Sequence, residues 1–210
     1  MIHKNVITDF SPEEYTPQID PSAHVHPLGA VIGNVILGKN VYVAPFASVR
    51  GDEGMPLHIG DNSNVQDGVI IHALETCEVK EDGSIINIDK NTVEVSGKKY
   101  AVYVGEKVSL AHQVQIHGPA SVGNESFIGM KSLVFKAAVG NNCVIEPGCI
   151  LMGVTVPDGR YVPAGTTLNN QKDADSLPEI TDDYPLKSLN SGVVHVNINL
   201  AKGYNAAGLK

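Results

Sequence analysis

Aliphatic residues recur every six positions along most of this chain. One run is Ile19, Val25, Val31, Leu37, Val43 and Val49, and a second is Ile59, Val65 and Ile71. A third is Val104, Leu110, Ile116, Val122, Ile128 and Val134, followed by Val139, Ile145 and Leu151 and then Val156, Val162 and Leu168. Four residues after the aliphatic position most hexads carry a small or slim residue, such as Ala23, Ala47, Ser63, Val114, Ser126, Cys143 and Cys149. Glycine often follows the aliphatic residue directly, as at Gly38, Gly60, Gly105 and Gly123. A six-residue repeat of this kind marks a parallel β-helix. Each hexad is one short strand and a corner, and three hexads close a triangular coil. The aliphatic and small positions point inward and stack from coil to coil. A β-sandwich would instead alternate along longer strands, with turn signals about every 8–12 residues, and fits this register worse.

The mostly-β reading covers residues 19–168, where twenty-one hexads make about seven coils. Two loops interrupt it, at 51–57 and at 73–103. The second carries Glu75, Glu78, Glu81, Asp82, Asp89 and Glu94. Loops on a repeat scaffold are where function concentrates. After Leu168 the repeat stops. Residues 170–177 read as a short helix ended by Pro178. Residues 190–204 are apolar and rich in β-branched side chains, so propensity alone leaves them ambiguous. A solenoid has an end or face to cover, and by analogy with hexapeptide-repeat proteins this segment is expected to be a helix. The chain 1–210 is thus expected to be one domain, with 169–210 a C-terminal helical segment.

Composition narrows the function. The 210 residues suffice for one domain with a core, and the formal net charge is −8. With no basic run or stripe, nucleic-acid binding is not expected. Met1 to Asn5 lacks an apolar leader and no stretch is long enough to span a bilayer, so a cytoplasmic protein without membrane contact is expected. The three cysteines form no CxxC pair. Cys143 and Cys149 occupy small inward slots, and Cys77 reads as an incidental reduced thiol in the loop.

The hexad register also converts sequence spacing into position. Arg50, His72 and His117 each follow an aliphatic residue three hexads apart, so they lie on one face and project outward in a column. Adjacent coils stand about 4.8 Å apart, which lets His72 and His117 share a metal at about 2.0–2.1 Å from nitrogen. His112 follows Leu110 by two positions and falls on another face, beside Asn64, Gln66 and Asp67 of the preceding coil. It cannot easily join the pair within one chain. In a threefold trimer, His112 of the adjacent chain would complete a three-histidine site. Structural zinc normally has four protein ligands, so three histidines and an open position point to catalysis. His3, His24, His26 and His58 read as structural or solvated.

These same residues carry a resemblance. Arg50-Gly51-Asp52-Glu53-Gly54-Met55-Pro56, Asn62-Ser63-Asn64-Val65-Gln66-Asp67-Gly68, His72-Ala73-Leu74-Glu75-Thr76, Ser109-Leu110-Ala111-His112, His117-Gly118-Pro119-Ala120, Phe127-Ile128-Gly129-Met130 and Asn197 together resemble the γ-class carbonic anhydrases. The match runs through nearly the whole chain. It implies a left-handed coil, as in hexapeptide-repeat proteins generally, and a homotrimer with one active site at each interface. It implies that His72, His112 and His117 hold zinc, with ferrous iron or cobalt as substitutes. The implied reaction is reversible hydration of carbon dioxide to bicarbonate and a proton, by a metal-bound hydroxide formed because the metal lowers the pKa of its water to about 7. Glu53 would accept a proton or bind nascent bicarbonate. Gln66 and Asn64 would orient the hydroxide, and Asn197 would stand near the carbon dioxide pocket. Arg50 and Asp52 resemble a pair tying subunits together, with Arg50 also reaching bicarbonate. Asp67 would be a supporting or interface partner, and Glu75 the proton shuttle.

Some features depart from the family. The acidic loop is several residues longer, which leaves Glu78, Glu81 and Asp82 unassigned. His195 stands where relatives often carry tyrosine; it reads as a packing substitution in preference to a second proton relay. Two other functions use the same fold. One is a non-catalytic assembly subunit of the same family, against which Glu53, Gln66 and Glu75 argue. The other is a hexapeptide acyltransferase, which would need one histidine and neither the stacked pair nor Glu53 and Glu75.

Overall fold

The computed structural model describes residues 1–209. The six-residue repeat folds into a parallel β-solenoid of about eight turns with three faces. The chain visits the faces in rotation. One face, here the histidine face, has eight strands in the order Ile2–His3, Ala30–Gly33, Ser48–Gly51, Ile70–His72, Gln115–His117, Leu133–Phe135, Ile150–Met152 and Thr167–Leu168. The second face has seven strands from Gln18–Ile19 to Thr155–Val156, and the third seven from His24–Val25 to Tyr161–Val162. All neighbouring strands within a face pair in parallel, as in Ile71 opposite Ile116 and Ile116 opposite Val134.

The sequence count of about seven coils is one face-strand short. Ile2–His3 pairs with Ala30–Gly33 beneath the first hexad. A stretch of non-repeating chain separates it from Ile19, so its register is invisible in the repeat.

The inward columns form the core. Val31, Val49, Ile71, Ile116, Val134 and Leu151 on the histidine face are all fully buried. Each such side chain contributes roughly 1.5–3 kcal/mol relative to exposure. The glycines after the aliphatic position have a separate cause. A Cβ on Gly60 would sit 2.6 Å from the Gly105 backbone one coil on, and one on Gly123 would sit 2.6 Å from the Gly140 backbone. Backbones at that corner touch, and only hydrogen fits between them.

The 73–103 segment is not an open loop. Cys77–Val79 pairs antiparallel with Ile85–Asn87, a 3-10 turn spans Asp89–Asn91, and Val93–Val95 pairs antiparallel with Lys98–Tyr100. The solenoid resumes at Val102–Val104. Ser96 and Gly97, both at positive φ, close the second hairpin, as two-residue hairpin turns require. Cys77 is buried and its thiol donates to the Phe10 carbonyl at 3.2 Å. Burial, and then Glu13, push that thiol's pKa up, so it stays protonated.

Two helices follow the last coil. The first, α1 (Gln171–Asp175), is capped by Asn170, whose side chain accepts from the Asp173 N–H at 3.0 Å. The second, α2 (Leu189–Ala206), runs across the third face with Asn190, Val194, Asn197 and Ala201 buried. Tyr204 of α2 stacks on His24 and Tyr42, with centroids 5.0 and 5.9 Å apart. No helix among the described residues is long and apolar enough to cross a membrane.

Candidate metal centre

His72 and His117 face each other directly across the Ile70–His72 and Gln115–His117 strands. Inward Ile71 and Ile116 anchor the two strands, so the histidines one position later turn outward. Their rings meet edge to face with centroids 5.6 Å apart. His117 Nδ1 lies 3.1 Å from the Gly118 carbonyl. Donation of Nδ1–H to that oxygen leaves Nε2 with its lone pair, the arrangement metal-ligating imidazoles use.

His112 lies elsewhere. It sits in the turn after Ser109–Leu110, on the third face. Its Nδ1 lies 3.1 Å from Asp67 Oδ2, and both side chains are about half exposed. Asp67 therefore holds the ring by Nδ1 and leaves Nε2 free. One chain does not assemble the three histidines. Among the described residues, the trio whose potential ligand atoms lie within 4.8 Å of one another is Asp52, Glu53 and His72. His72 Nε2 is 2.8 Å from Glu53 Oε1 and 3.3 Å from Asp52 Oδ1.

The remaining residues divide between the two faces. Arg50 donates from Nη1 to Asp52 Oδ2 at 2.9 Å, so within one chain this pair is internal. Glu75 is exposed, at the start of the second insertion. On the third face, Asn64 is fully buried and donates to Ser109 Oγ at 2.9 Å, and Gln66 Nε2 donates to Asn64 Oδ1 at 2.9 Å. That relay fixes the Gln66 amide and frees its carbonyl oxygen. Gln66, His112, Phe127, Met130, Val193 and Asn197 line a groove of about 820 Å³ between the third face and α2. Asn197 donates to the Val193 carbonyl at 2.9 Å. Tyr42, also in the groove wall, has its pKa pushed up to about 12, by burial first and then by Tyr204 and Asp67, so it stays a neutral hydroxyl.

His195 is exposed on α2 and accepts at its carbonyl from Asn199 Nδ2; it does not pack inward, because the opposite side of the helix meets the solenoid. Ser109, Thr76 and Asn91 are buried polar groups beside the site to which the sequence pattern assigns no role.

A three-faced solenoid of stacked hexads, covered by a helix on one face, defines a hexapeptide-repeat protein. Solved structures agree on this fold. A hexapeptide transferase family protein from Anaplasma phagocytophilum superposes with a TM-score of 0.53 at 22% identity, covering 90% of this chain and 93% of that one. A putative acetyltransferase from Bacillus cereus gives 0.54 at 19% identity, covering 92% and 94%. At such identities the likeness is one of fold alone. The sequence goes further. The carbonic anhydrase of Methanosarcina thermophila is 56% identical over 203 residues, which cover 97% of this chain and 81% of that protein. The chain belongs to the γ-class carbonic anhydrase family. The carboxysome assembly protein CcmM of Nostoc sp. is 44% identical over 190 residues, covering 90% of this chain and 32% of CcmM. No family model matches the chain.

Proposed function

We propose that this chain is a metal-dependent carbonic anhydrase, a carbonate dehydratase interconverting carbon dioxide with bicarbonate and a proton. It works as a homotrimer of left-handed solenoids with one site at each subunit interface. The observation that carries the reading is the in-register pair His72 and His117, with the His117 ring held by the Gly118 carbonyl. His72 and His117 of one subunit and His112 of the partner subunit would hold the ion. The donor set fits a divalent transition metal, because neutral imidazoles with one nitrogen engaged and one free suit zinc, ferrous iron and cobalt. When bound, such a metal lowers the pKa of a coordinated water towards neutrality and supplies a nucleophile for carbon dioxide.

The protein groups do the rest. Gln66, pinned through Asn64 to Ser109, presents its carbonyl oxygen as an acceptor that orients a water or hydroxyl. Glu53, beside His72 Nε2, accepts a proton at its carboxylate or hydrogen-bonds the bicarbonate hydroxyl. Asn197 positions carbon dioxide against the apolar groove wall of Phe127 and Val193. Arg50, paired with Asp52 on the histidine face, meets the anionic product. Glu75, exposed to solvent, carries the proton from the site to buffer. The likeness to CcmM favours a second reading, an assembly subunit without turnover.

Metal analysis of anaerobically purified protein beside a carbon dioxide hydration assay separates the two. Hydration activity with zinc or iron is expected, with a fall of roughly 10²-fold or more in His117→Ala. Glu75→Ala is expected to lose less and to recover partly on added buffer. A fully metal-loaded protein without hydration activity would sink the enzyme reading.

A further inference from the structure

Two insertions leave the solenoid beside His72, and one threonine joins them. Thr76 is 1% exposed. Its backbone N–H and its hydroxyl both donate to the Glu53 carbonyl, at 3.0 and 2.7 Å. The same hydroxyl accepts from the Met55 N–H at 2.7 Å. This position therefore uses a hydroxyl in both directions, which neither an apolar nor an acceptor-only side chain can do. Between the two tied residues, Gly54 has φ +100°, and a Cβ there would sit 2.5 Å from Thr76 Oγ1. Asn34 Nδ2 completes the tie by donating to the Gly54 carbonyl at 2.8 Å. The backbone is thus held at three successive residues, 53 to 55, while the Glu53 carboxylate reaches His72.

Glu75 is anchored from the turn between the two hairpins of the same insertion. Asn91 closes the 3-10 turn, is buried, and donates from Nδ2 to the Glu75 carbonyl at 2.7 Å. The Ile88 N–H donates to the Thr76 carbonyl at 2.8 Å. The Glu75 backbone is therefore fixed while its side chain is exposed. A proton carrier of one residue's reach requires that combination, a mobile arm on a stationary pivot.

We infer that Thr76 and Asn91 are positioning residues for the two carboxylates. Thr76 sets Glu53 beside His72, and Asn91 sets the pivot from which Glu75 moves. The inference rests on the carbonic anhydrase reading above, and its two halves fail in different kinetic constants. Proton release to buffer follows bicarbonate formation, so it limits kcat without entering kcat/KM.

The test compares the wild type with Thr76→Val, Thr76→Ser and Asn91→Ala. It reads carbon dioxide hydration across buffer concentrations, and backbone amide exchange at residues 53–55 in metal-free protein. Thr76→Val is expected to lower kcat/KM roughly tenfold or more, since small misplacements of reacting groups are costly. Its Met55 amide is expected to exchange about tenfold faster or more. Thr76→Ser, which keeps the hydroxyl, is expected to match the wild type in both. Asn91→Ala is expected to lose kcat several-fold at low buffer (~3–10-fold, the weight of one hydrogen bond) with kcat/KM unchanged, the gap closing at high buffer. Unchanged exchange and kcat/KM in Thr76→Val overturn the inference, as does a Thr76→Ser that behaves like Thr76→Val. Should Thr76→Val not fold, an unchanged low-buffer kcat in Asn91→Ala overturns it at Glu75. An inactive wild type sinks the hydratase reading, while the exchange arm still decides whether Thr76 holds residues 53–55.

Discussion

Single atoms decide much of this molecule. At the corner column the separation of coils is set by glycine, because the next backbone lies where a Cβ would be. Gly123→Ala is therefore expected to destabilise the protein by about 1–3 kcal/mol, as overpacking does. Chemical denaturation reads this directly, and a stability within error of the wild type would show that the corner can spread. The histidines are governed at the same scale. Gly118 and Asp67 each engage Nδ1 of a ring and leave Nε2 available. The hexad register shows which face a histidine occupies. It does not show the carbonyl or carboxylate that orients the ring, because the Gly118 carbonyl depends on the local backbone turn and Asp67 comes from the preceding coil.

At the scale of elements, the inserted segment shows how local pattern and context combine. Its two hairpins follow short alternating stretches joined by Gly-containing turns, but the acidic composition reads as open loop. The second hairpin packs where His58 projects from the second face. His58 stacks on Tyr103 with centroids 4.8 Å apart and meets Tyr100 edgewise at 5.6 Å. Its Nδ1–H donates to the Val104 carbonyl at 3.2 Å. Burial lowers its pKa, with Lys98 adding to the effect and the Val104 carbonyl, Asp61 and Glu106 opposing it. A histidine whose folded pKa is depressed leaves the unfolded chain to bind the proton first. Its stabilisation is full above the ordinary value of about 6.5 and is lost as pH falls below it. His58→Gln should therefore flatten the fall in melting temperature between neutral pH and about pH 5. Identical slopes for variant and wild type would refute this. The helix α2 illustrates the opposite case. Its β-branched residues are poor helix formers, and the cover it provides over the third face outweighs propensity.

The whole molecule carries its candidate ligands on two faces. Each chain displays His72 and His117 on one face and His112, Gln66 and Asn197 around a groove on another. If the centre forms between subunits, a defect on one face is complemented by an intact partner. His72→Ala and His112→Ala trimers should each be inactive. Unfolded and refolded together in equal amounts, they should regain activity in about a quarter of sites, those pairing an intact histidine face with an intact His112. No regain in trimers shown to be mixed would place the centre within one subunit. The repeat made this division legible, because positions three hexads apart must share a face. It left the clamp of Thr76 and Asn91 unseen, since hydrogen bonds between two insertions have no period.

The sequence by itself determined the solenoid, the strand register, the pairing of His72 with His117 and the separation of His112. All four follow from a local repeat whose geometry is copied from coil to coil. Only the tertiary structure decided the extra N-terminal strand, the hairpins of the acidic insertion, the ring orientations and the bracing of Glu53 and Glu75. The extra strand, the bracing and the Asp67 contact of His112 join segments far apart in the chain, while the hairpins and the Gly118 contact of His117 are local; in all of them hydrogen-bond satisfaction and packing, not periodicity, select the partner.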